Sequence, residues 1–223
     1  MCAFHIHCMR LLILGASGGC GRWLLRLAAE RGDAVTALVR ASAALEAAPG
    51  VVVHRGDVTE VGVLDAVLPG HDAVLSALGL RRAGRNPWAP LRSPANLTES
   101  TMRQLLPAMQ RHGVQRLLAI SAAGVGDSHG QLTWPVRRLV ASGNVAVAYR
   151  DLAAMEALLA ASDRDWLAVR PVTLTDGAPK KPARAVARYG LTSTVRRAEV
   201  ATWMLDAVAR PGPFAARQVM LGT

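Results

Sequence analysis

The chain has 223 residues, of which 51% are apolar, so it can form one domain with a sizeable buried core. No stretch approaches the ~18 uninterrupted apolar residues of a membrane helix, and no signal peptide with a cleavage site precedes the first predicted strand. The three cysteines form no C-x-x-C pair, which is typical of a reducing compartment. Composition therefore predicts a cytoplasmic protein without a membrane segment.

The net charge is +10, and all but two of the 26 basic residues are arginine. A basic balance of this size is one signature of nucleic-acid binding. Here the arginines are spread along the chain instead of clustering, which favours a solvated surface around an anionic small molecule. We therefore expect a small-molecule partner and no nucleic acid, while the oligomeric state stays open between a monomer and a homodimer.

The first eight residues include His5, His7 and Cys8, which are potential metal ligands. One short tract lacks the further ligands of a closed metal site, so no metal site is predicted. The tract also has no helix caps and no hydrophobic periodicity. Residues 1–8 are therefore expected to be a disordered or extended segment, and residues 9–223 to form the folded domain.

An apolar run, Leu11–Leu14, leads into a glycine-rich turn and then into a helical pattern. Glycines at Gly15, Gly18 and Gly21 follow a G-x-x-G-x-x-G spacing. The first can turn the chain tightly, the second can let the backbone approach a phosphate, and the third can let the helix pack closely on the strand. Strand, turn and helix in this order are typical of a dinucleotide site, where the pyrophosphate lies at the helix N-terminus.

The second predicted strand, residues 34–39, completes a β-α-β unit and is followed by Arg40, nineteen residues past Gly21. In NAD-binding units an acidic residue near this distance binds the ribose 2′-hydroxyl, whereas an arginine suits the 2′-phosphate of NADP. Arg40 therefore favours NADP(H) over the alternative of one more surface arginine. Asp57 follows the third strand, where it either accepts a hydrogen bond from an adenine amino group or caps the next helix.

Strand and helix patterns alternate to the end of the chain. This alternation predicts an α/β fold with a right-handed, doubly wound, mostly parallel sheet and helices on both faces. The predicted strands span residues 9–14, 34–39, 51–54, 73–78, 115–121, 166–169 and 218–221, and the predicted helices run from the glycine turn to residue 31 and over residues 42–48, 61–68, 96–112, 149–162 and 196–210.

Two long irregular segments, residues 80–95 and 172–195, follow strand ends at the same edge of the predicted sheet. Loops at the carboxyl ends of parallel strands carry the substrate contacts of α/β enzymes, so both are candidate substrate loops. Trp88 lies among arginines, where it either covers an aromatic or anionic ligand or belongs to a solvated loop. The stretch 127–144 is expected to be a loop with about one helical turn.

Ordered motifs between residues 9 and 208 carry a family resemblance. They are Gly15-Ala16-Ser17-Gly18-Gly19-Cys20-Gly21, Val39-Arg40, Gly56-Asp57-Val58, Ser76-Ala77-Leu78-Gly79, His112-Gly113-Val114, Ile120-Ser121-Ala122, Met155-Glu156-Ala157-Leu158-Leu159, Val169-Arg170-Pro171 and Leu174-Thr175-Asp176-Gly177-Ala178-Pro179. With them the chain resembles the atypical short-chain dehydrogenase/reductase superfamily, in the branch of small NAD(P)H-binding proteins that includes biliverdin-IXβ/flavin reductase and the NmrA-like sensors. The resemblance implies a single Rossmann-type domain that binds NADP(H).

The resemblance also implies a set of site residues. The glycine turn would line the pyrophosphate, Arg40 the 2′-phosphate, and Ser121 the nicotinamide and substrate, with Pro171 closing the site behind. The implied cofactor-binding residues are Gly15, Ser17, Gly18, Gly19, Cys20 and Gly21 at the pyrophosphate turn, Arg40, Asp57 and Val58 at the adenosine, and Leu78, Gly79, Ser121 and Pro171 on the ribose and nicotinamide side.

One feature of the resembled superfamily is missing. Its typical members carry Tyr-x-x-x-Lys, in which the lysine lowers the pKa of the tyrosine so that it exchanges a proton near neutrality. Here Ala153 stands four residues after Tyr149, and the helix contains no lysine. Ser121 and Tyr149 are the candidate catalytic residues, but no tuned tyrosine is predicted.

Three functions remain open at this point. The first is an NADPH-dependent reductase that transfers hydride to a conjugated, aromatic or anionic acceptor beside Ser121. The second is an NADP(H)-binding redox sensor without turnover, which the missing tyrosine–lysine pair favours. The third is a non-redox isomerase or cyclase that uses the same pocket. Two long loops over the site favour an enzyme.

Overall fold

A computed structural model of the chain describes residues 8–45, 49–84 and 86–223. The strands are β1 (Arg10–Leu14), β2 (Ala34–Val39), β3 (Val51–Arg55), β4 (Ala73–Ser76), β5 (Arg116–Ile120), β6 (Asp165–Pro171), β7 (Thr173–Thr175), β8 (Arg184–Ala185), β9 (Thr194–Arg196) and β10 (Gln218–Gly222). The helices are α1 (Gly19–Glu30), α2 (Val63–Val67), α3 (Leu97–Arg111), α4 (Trp134–Val140), α5 (Gly143–Ala160) and α6 (Arg197–Val208).

Eight of the strands form one sheet in the order β3-β2-β1-β4-β5-β6-β10-β8. All neighbours in it pair in parallel except β8, which pairs antiparallel to β10 at the edge. The chain winds outward from β1 to β3, then returns to the other side of β1 with β4. The predicted doubly wound, mostly parallel sheet is thus confirmed, and its topological switch point lies between β1 and β4.

Helices cover both faces of this sheet and bury two apolar clusters. On one face Leu24 of α1 and Met204 of α6 pack over the central strands. On the other face Met102 of α3 and Met155 of α5 do the same. Central parallel strands buried on both sides read as continuous apolar runs, which is why the strand Leu11–Leu14 has no polar residue.

The helix predicted over residues 42–48 is wrong over the described part, 42–45, which is a turn followed by irregular chain; residues 46–48 lie outside the described residues. The physical cause is Arg55 at the end of β3. Its guanidinium donates to the backbone carbonyl oxygens of Ala41, Ala43 and Leu45 at 3.2, 2.9 and 3.1 Å. These tertiary hydrogen bonds replace those that a helix would make.

The stretch 127–144 is more regular than predicted. It contains a 3₁₀ segment, Gly126–Gln131, and the helix α4, and α5 begins at Gly143 instead of Tyr149. Gly143 has φ +51°, and a Cβ there would lie 2.8 Å from the carbonyl oxygen of Pro87. The start of α5 is therefore determined by its contact with the loop 80–95, which no local pattern reveals.

The segment 172–195 is also not purely irregular, since β7 and β9 form a small parallel sheet and β8 joins the main one. The expectation for residues 1–8 falls outside the described residues except at Cys8, which is exposed and whose thiol contacts the carbonyl oxygen of Gly32 at 2.7 Å. The next residue is held to the domain, because the backbone N–H of Met9 donates to Asp33 Oδ1 at 3.0 Å.

Candidate functional site

A cavity of about 910 Å³ lies at the carboxyl edge of the sheet, over the switch point between β1 and β4. In open α/β sheets this crevice is the usual ligand site. The cavity extends from Arg40, which follows β2, past the glycine turn to Ser121, which follows β5. Of the predicted site residues, all line it except Gly21 and Pro171.

The glycine turn builds the floor of the cavity. Gly15 has φ +75°, and its carbonyl oxygen accepts a hydrogen bond from the N–H of Gly18 at 2.9 Å. A Cβ on Gly15 would lie 2.9 Å from the carbonyl oxygen of Ala77, so the turn runs against the end of β4. No side chain caps the N-terminus of α1, and its first turn has no acidic residue. The turn therefore presents a helix N-terminus to the cavity, which suits an anion.

Gly21 does not line the cavity because it lies behind the turn. A Cβ at this position would lie 2.1 Å from the carbonyl oxygen of Gly15 and 2.7 Å from Ala16 Cα. Such contacts do not occur between real atoms, so only glycine fits where α1 crosses the end of β1. The role of Gly21 is close helix–strand packing, one of the two roles expected for it.

At the β2–β3 end, the cavity is lined by Arg40 and Ser42 and by Asp57 and Val58. Hydrogen bonds from the backbone N–H and the hydroxyl of Thr59 to Asp57 Oδ1, at 2.9 and 2.7 Å, lower the pKa of Asp57 below its usual range. Asp57 is therefore ionised at neutral pH, and it does not cap the next helix, because α2 begins after Gly62 without a side-chain cap. The positive charge of Arg40 acts in the same direction on the Asp57 pKa.

At the β4–β5 end, Leu78, Gly79 and Ser121 line the cavity. Ser121 is buried, and its backbone N–H donates to the carbonyl oxygen of Val169 at 2.7 Å. Its hydroxyl oxygen has no hydrogen-bond partner among the residues that the structure describes. A buried polar group is nearly always paired, so an unpaired buried hydroxyl in a residue that lines the cavity is unusual.

Tyr149 lies on α5 and also lines the cavity, but its hydroxyl is engaged. It donates to the carbonyl oxygen of Ala123 at 3.0 Å. Burial raises the pKa of Tyr149 above its usual range, and the neighbouring Tyr189 adds to this shift. The phenol therefore holds its proton, in contrast to the lowered pKa of a tyrosine next to a lysine.

Pro171 belongs to β6 and is covered from both sides. Its carbonyl oxygen accepts from the N–H of Ala123 at 3.0 Å, and it is paired with Leu221 of β10. The preceding Arg170 is also buried, with ion pairs to Glu156 at 2.5 Å and to Asp127 at 2.6 Å. The residues Arg170 and Pro171 thus support the site from behind and do not line it.

Several cavity-lining residues were not among the predicted site residues. Those with a charged or hydroxyl side chain include Arg22, Ser42, Arg81, Arg82 and Arg197. Arg22 directly follows the glycine turn and Ser42 follows Arg40, so their chain positions could have indicated them. Arg197 comes from the start of α6, far along the chain, and only the folded structure brings it to the turn.

No group of three or more His, Cys, Asp or Glu side chains among the described residues is placed to hold a metal ion. Likewise, none of the helices in the described ranges is long and apolar enough to cross a membrane.

An open parallel sheet, a glycine turn at its switch point and an anion-binding cavity above that turn define a dinucleotide-binding protein. The chain belongs to the NAD(P)H-binding family, whose family profile matches residues 15–211. This match confirms the NAD(P)H-binding branch that the resemblance implied, and the solved structures that the chain resembles share its fold.

Three such structures illustrate the likeness. ChuY, an anaerobilin reductase from Escherichia coli O157:H7, is 25% identical, with coverage of 95% of this chain and 96% of that one and a TM-score of 0.74. A short-chain dehydrogenase/reductase from Veillonella parvula in complex with NADP is 16% identical, with coverage of 96% and 94% and a TM-score of 0.77. A candidate NADH-flavin reductase from Streptococcus pneumoniae is 19% identical, with coverage of 96% and 99% and a TM-score of 0.70. The fold is thus that of NAD(P)H-binding reductases.

Proposed function

We propose that this protein is an NADPH-dependent reductase that transfers hydride to a conjugated, anionic small molecule. The observation that carries the proposal is that the cavity over the switch point has arginines at both ends. Its lining arginines are Arg22, Arg40, Arg81, Arg82 and Arg197. Asp57 is the one acidic residue lining it within the described ranges, so the cavity suits ligands with several negative charges.

The proposed preference for NADPH over NADH rests on the residues at the β2–β3 end of the cavity. Position 40 follows the strand directly and carries an arginine, where NAD-binding units have an acid for the 2′-hydroxyl. Ser42 lines the same part of the cavity and adds a hydroxyl donor. A guanidinium and a hydroxyl together suit a phosphate monoester, since both donate hydrogen bonds to its oxygens.

The proposed class of acceptor rests on the residues at the β4–β5 end of the cavity. Arg81 and Arg82 line the cavity and follow β4, on the side where we expect the nicotinamide of a dinucleotide to lie in this fold. Their charges therefore suit an anionic group on the acceptor. ChuY, a structurally similar protein, is an anaerobilin reductase, which agrees with a reductase that acts on a small organic acceptor.

The protein offers no tuned proton donor beside the acceptor. Tyr149 holds its proton in a bond to Ala123, and no lysine lies in α5. The chemistry that a bound cofactor supplies is hydride transfer, which delivers two electrons and one hydrogen to the acceptor. A conjugated acceptor delocalises the resulting negative charge and can then take its proton from water. Ser121 would donate a hydrogen bond to the acceptor and orient it.

The test is a panel of acceptors incubated with NADPH or NADH while nicotinamide absorbance is followed. Flavin mononucleotide and riboflavin form a matched pair, because they share the conjugated ring and differ in the phosphate. We expect NADPH oxidation that is faster with the phosphorylated flavin, and we expect this preference to fall in Arg81→Ala and Arg82→Ala. A preference for NADH, or equal rates with both flavins and both variants, would contradict the proposal.

A redox sensor without turnover remains the second candidate, because Tyr149 is engaged with a backbone carbonyl instead of the cavity. It makes a distinct prediction for the same panel: tight binding of NADPH with no oxidation by any acceptor. In that case the reductase proposal would be abandoned in favour of the sensor.

A further inference from the structure

Arg197 lies against the glycine turn, although it is the first residue of the last helix. A Cβ built on Gly19 would lie 2.6 Å from Arg197 Cδ and 2.7 Å from Arg197 Nε. The absence of a side chain at Gly19 is therefore what lets the arginine lie across the N-terminus of α1. Arg197 lines the same cavity as the turn, and its charge opposes the burial that raises the Cys20 pKa.

We infer that Arg197 binds the pyrophosphate of the dinucleotide from above, opposite the backbone N–H groups of the glycine turn. This inference rests on the proposed function, because it assumes that a nicotinamide dinucleotide occupies the cavity. The turn and the N-terminus of α1 offer partial positive charge from one side. A guanidinium on the other side adds a full charge and a planar set of donors that matches phosphate oxygens.

One partner already holds Arg197 in place. Its Nη1 donates to Asp176 Oδ1 at 2.7 Å, while the Asp176 side chain is 86% exposed. A guanidinium has five N–H donors, so this pair leaves donors for a phosphate. Asp176 follows β7, and Arg197 follows β9, which pairs with β7. The small sheet thus brings Asp176 to Arg197, which lines the cavity, and connects the segment 172–195 to the candidate cofactor site.

The chain contains a matched control. Arg31 at the end of α1 forms an ion pair with Asp206 near the end of α6, so it bridges the same two helices at their opposite ends. Arg31 does not line the cavity. Arg31→Ala therefore removes an arginine–aspartate bridge between α1 and α6 without touching the proposed phosphate site.

The experiment measures dissociation constants by calorimetry for NADPH, NADH and adenosine 2′-monophosphate, with no turnover involved. Arg197→Ala should weaken NADPH and NADH by the same factor, about tenfold or more, because the two share the pyrophosphate. It should leave adenosine 2′-monophosphate, which lacks the pyrophosphate, within about twofold. Arg31→Ala should bind all three like the wild type.

Arg40→Ala should show the opposite pattern of affinities, so it separates the loss of a local contact from the effect of removing one positive charge. It should weaken NADPH and adenosine 2′-monophosphate while leaving NADH nearly unchanged. Arg197→Lys, which keeps the charge but loses the fork of donors, should fall between wild type and Arg197→Ala and provides a second variant if the alanine protein unfolds.

Two results would overturn the inference. One is wild-type affinity of Arg197→Ala or Arg197→Lys for both dinucleotides. The other is an equal loss for adenosine 2′-monophosphate, which would mean that Arg197 acts only through the overall charge of the protein. Failure of the proposed function has a different signature, since a protein that binds NADPH but oxidises it with no acceptor keeps the expected differences between these dissociation constants. A wild-type protein that binds neither NADPH nor NADH would overturn both.

Discussion

The two ends of the cavity are built in different ways. The adenosine end comes from one β-α-β unit and the following strand, and its lining residues stand within a few positions of a strand end. The acceptor end combines residues that follow β4 and β5 with Tyr149 from the middle of α5 and Leu174 from the segment 172–195. The adenosine end is therefore specified by local chain geometry, whereas the acceptor end depends on contacts between distant segments.

Gly21→Ala should produce the largest effect, because Gly21 supports the end that local geometry builds. The added Cβ would meet the Gly15 carbonyl oxygen at 2.1 Å, so the helix must move away from the strand. We expect destabilisation of more than about 3 kcal/mol, the upper part of the range for overpacking, and a loss of affinity for both NADPH and NADH. Thermal unfolding and cofactor titration measure the two effects.

The control for this substitution is Gly130→Ala. Gly130 is exposed, and a Cβ there meets nothing within 4 Å. Its stability should change by less than about 0.5 kcal/mol. If both variants unfold at the same temperature, the close packing assigned to Gly21 is not what holds the turn.

Arg40→Ala tests the role of the arginine at the adenosine end. Charge-assisted hydrogen bonds contribute about 1.5–3 kcal/mol each, so NADPH should bind about tenfold or more weakly while NADH is nearly unaffected. Dissociation constants for the two cofactors measure this directly. An equal loss for both would identify Arg40 as a structural arginine and remove the basis for an NADPH preference.

Ser121→Ala and Tyr149→Phe test the roles of two residues at the acceptor end. Ser121 lines the cavity, and its buried hydroxyl has no partner among the described residues, so its loss should lower turnover by up to about tenfold, the value of one neutral hydrogen bond, with little change in NADPH affinity. Tyr149→Phe should cost less turnover than Ser121→Ala, and far less than the 10²–10⁴-fold of a dedicated general acid.

Stability measurements separate these two variants independently of any substrate. An unsatisfied buried hydroxyl is unfavourable, so Ser121→Ala should be neutral or stabilising. Tyr149→Phe removes the 3.0 Å bond to Ala123 and should destabilise by about 1 kcal/mol. A clear drop in melting temperature for Ser121→Ala would show that its hydroxyl has a structural role.

Arg55→Ala tests how the adenosine end is held in shape. Arg55 donates to three carbonyl oxygens of the segment 41–45, which carries Ser42 into the cavity. Loosening this segment should weaken NADPH about threefold to tenfold, with a smaller effect on NADH. Arg26→Ala, which removes an exposed arginine that pairs with Glu30 within α1, is the matched control and should bind both cofactors normally.

The smallest effect is expected at Cys20, inside the glycine turn. Burial raises the pKa of the Cys20 thiol from its usual value to about 11, so the thiolate is scarce at neutral pH. Iodoacetamide should therefore spare Cys20 at pH 8 while it alkylates the exposed Cys8, and labelling of Cys20 should rise as the pH approaches 11. Mass spectrometry after timed quenching measures both sites. Rapid labelling of Cys20 at pH 7 would mean that the turn opens readily.

The raised pKa of Cys20 also determines how the free energy of unfolding changes with pH. The folded state disfavours the Cys20 thiolate relative to the unfolded chain, so the contribution of this group is fully present below the unfolded-state pKa. It is lost as the pH rises from the usual thiol range through about 11. Stability should therefore decline as the pH rises across this window, and Cys20→Ala should reduce the slope of that decline.

Sequence reasoning was sufficient for features that depend on neighbours along the chain. Apolar runs and helical periodicity predicted seven of the strands and a doubly wound, mostly parallel sheet, and the spacing of Gly15, Gly18 and Gly21 located the turn. Arg40 could be placed because a residue that directly follows a strand must lie at its carboxyl end. These signals are local, and the same residues carry them in any chain that folds in this class.

Only the tertiary structure decided what the distant segments contribute. Local patterns predicted a helix over residues 42–48, but Arg55 binds the backbone of the segment 41–45 instead. They also placed the start of α5 six residues too late, since its first residue, Gly143, packs against Pro87 of a distant loop. The contact of Arg197 with Gly19 likewise depends on how α6 packs on α1. Hydrophobic periodicity shows which side of a helix or strand is apolar, but it does not show which other helix or strand packs on that side. That packing determines which side chains meet at the cavity.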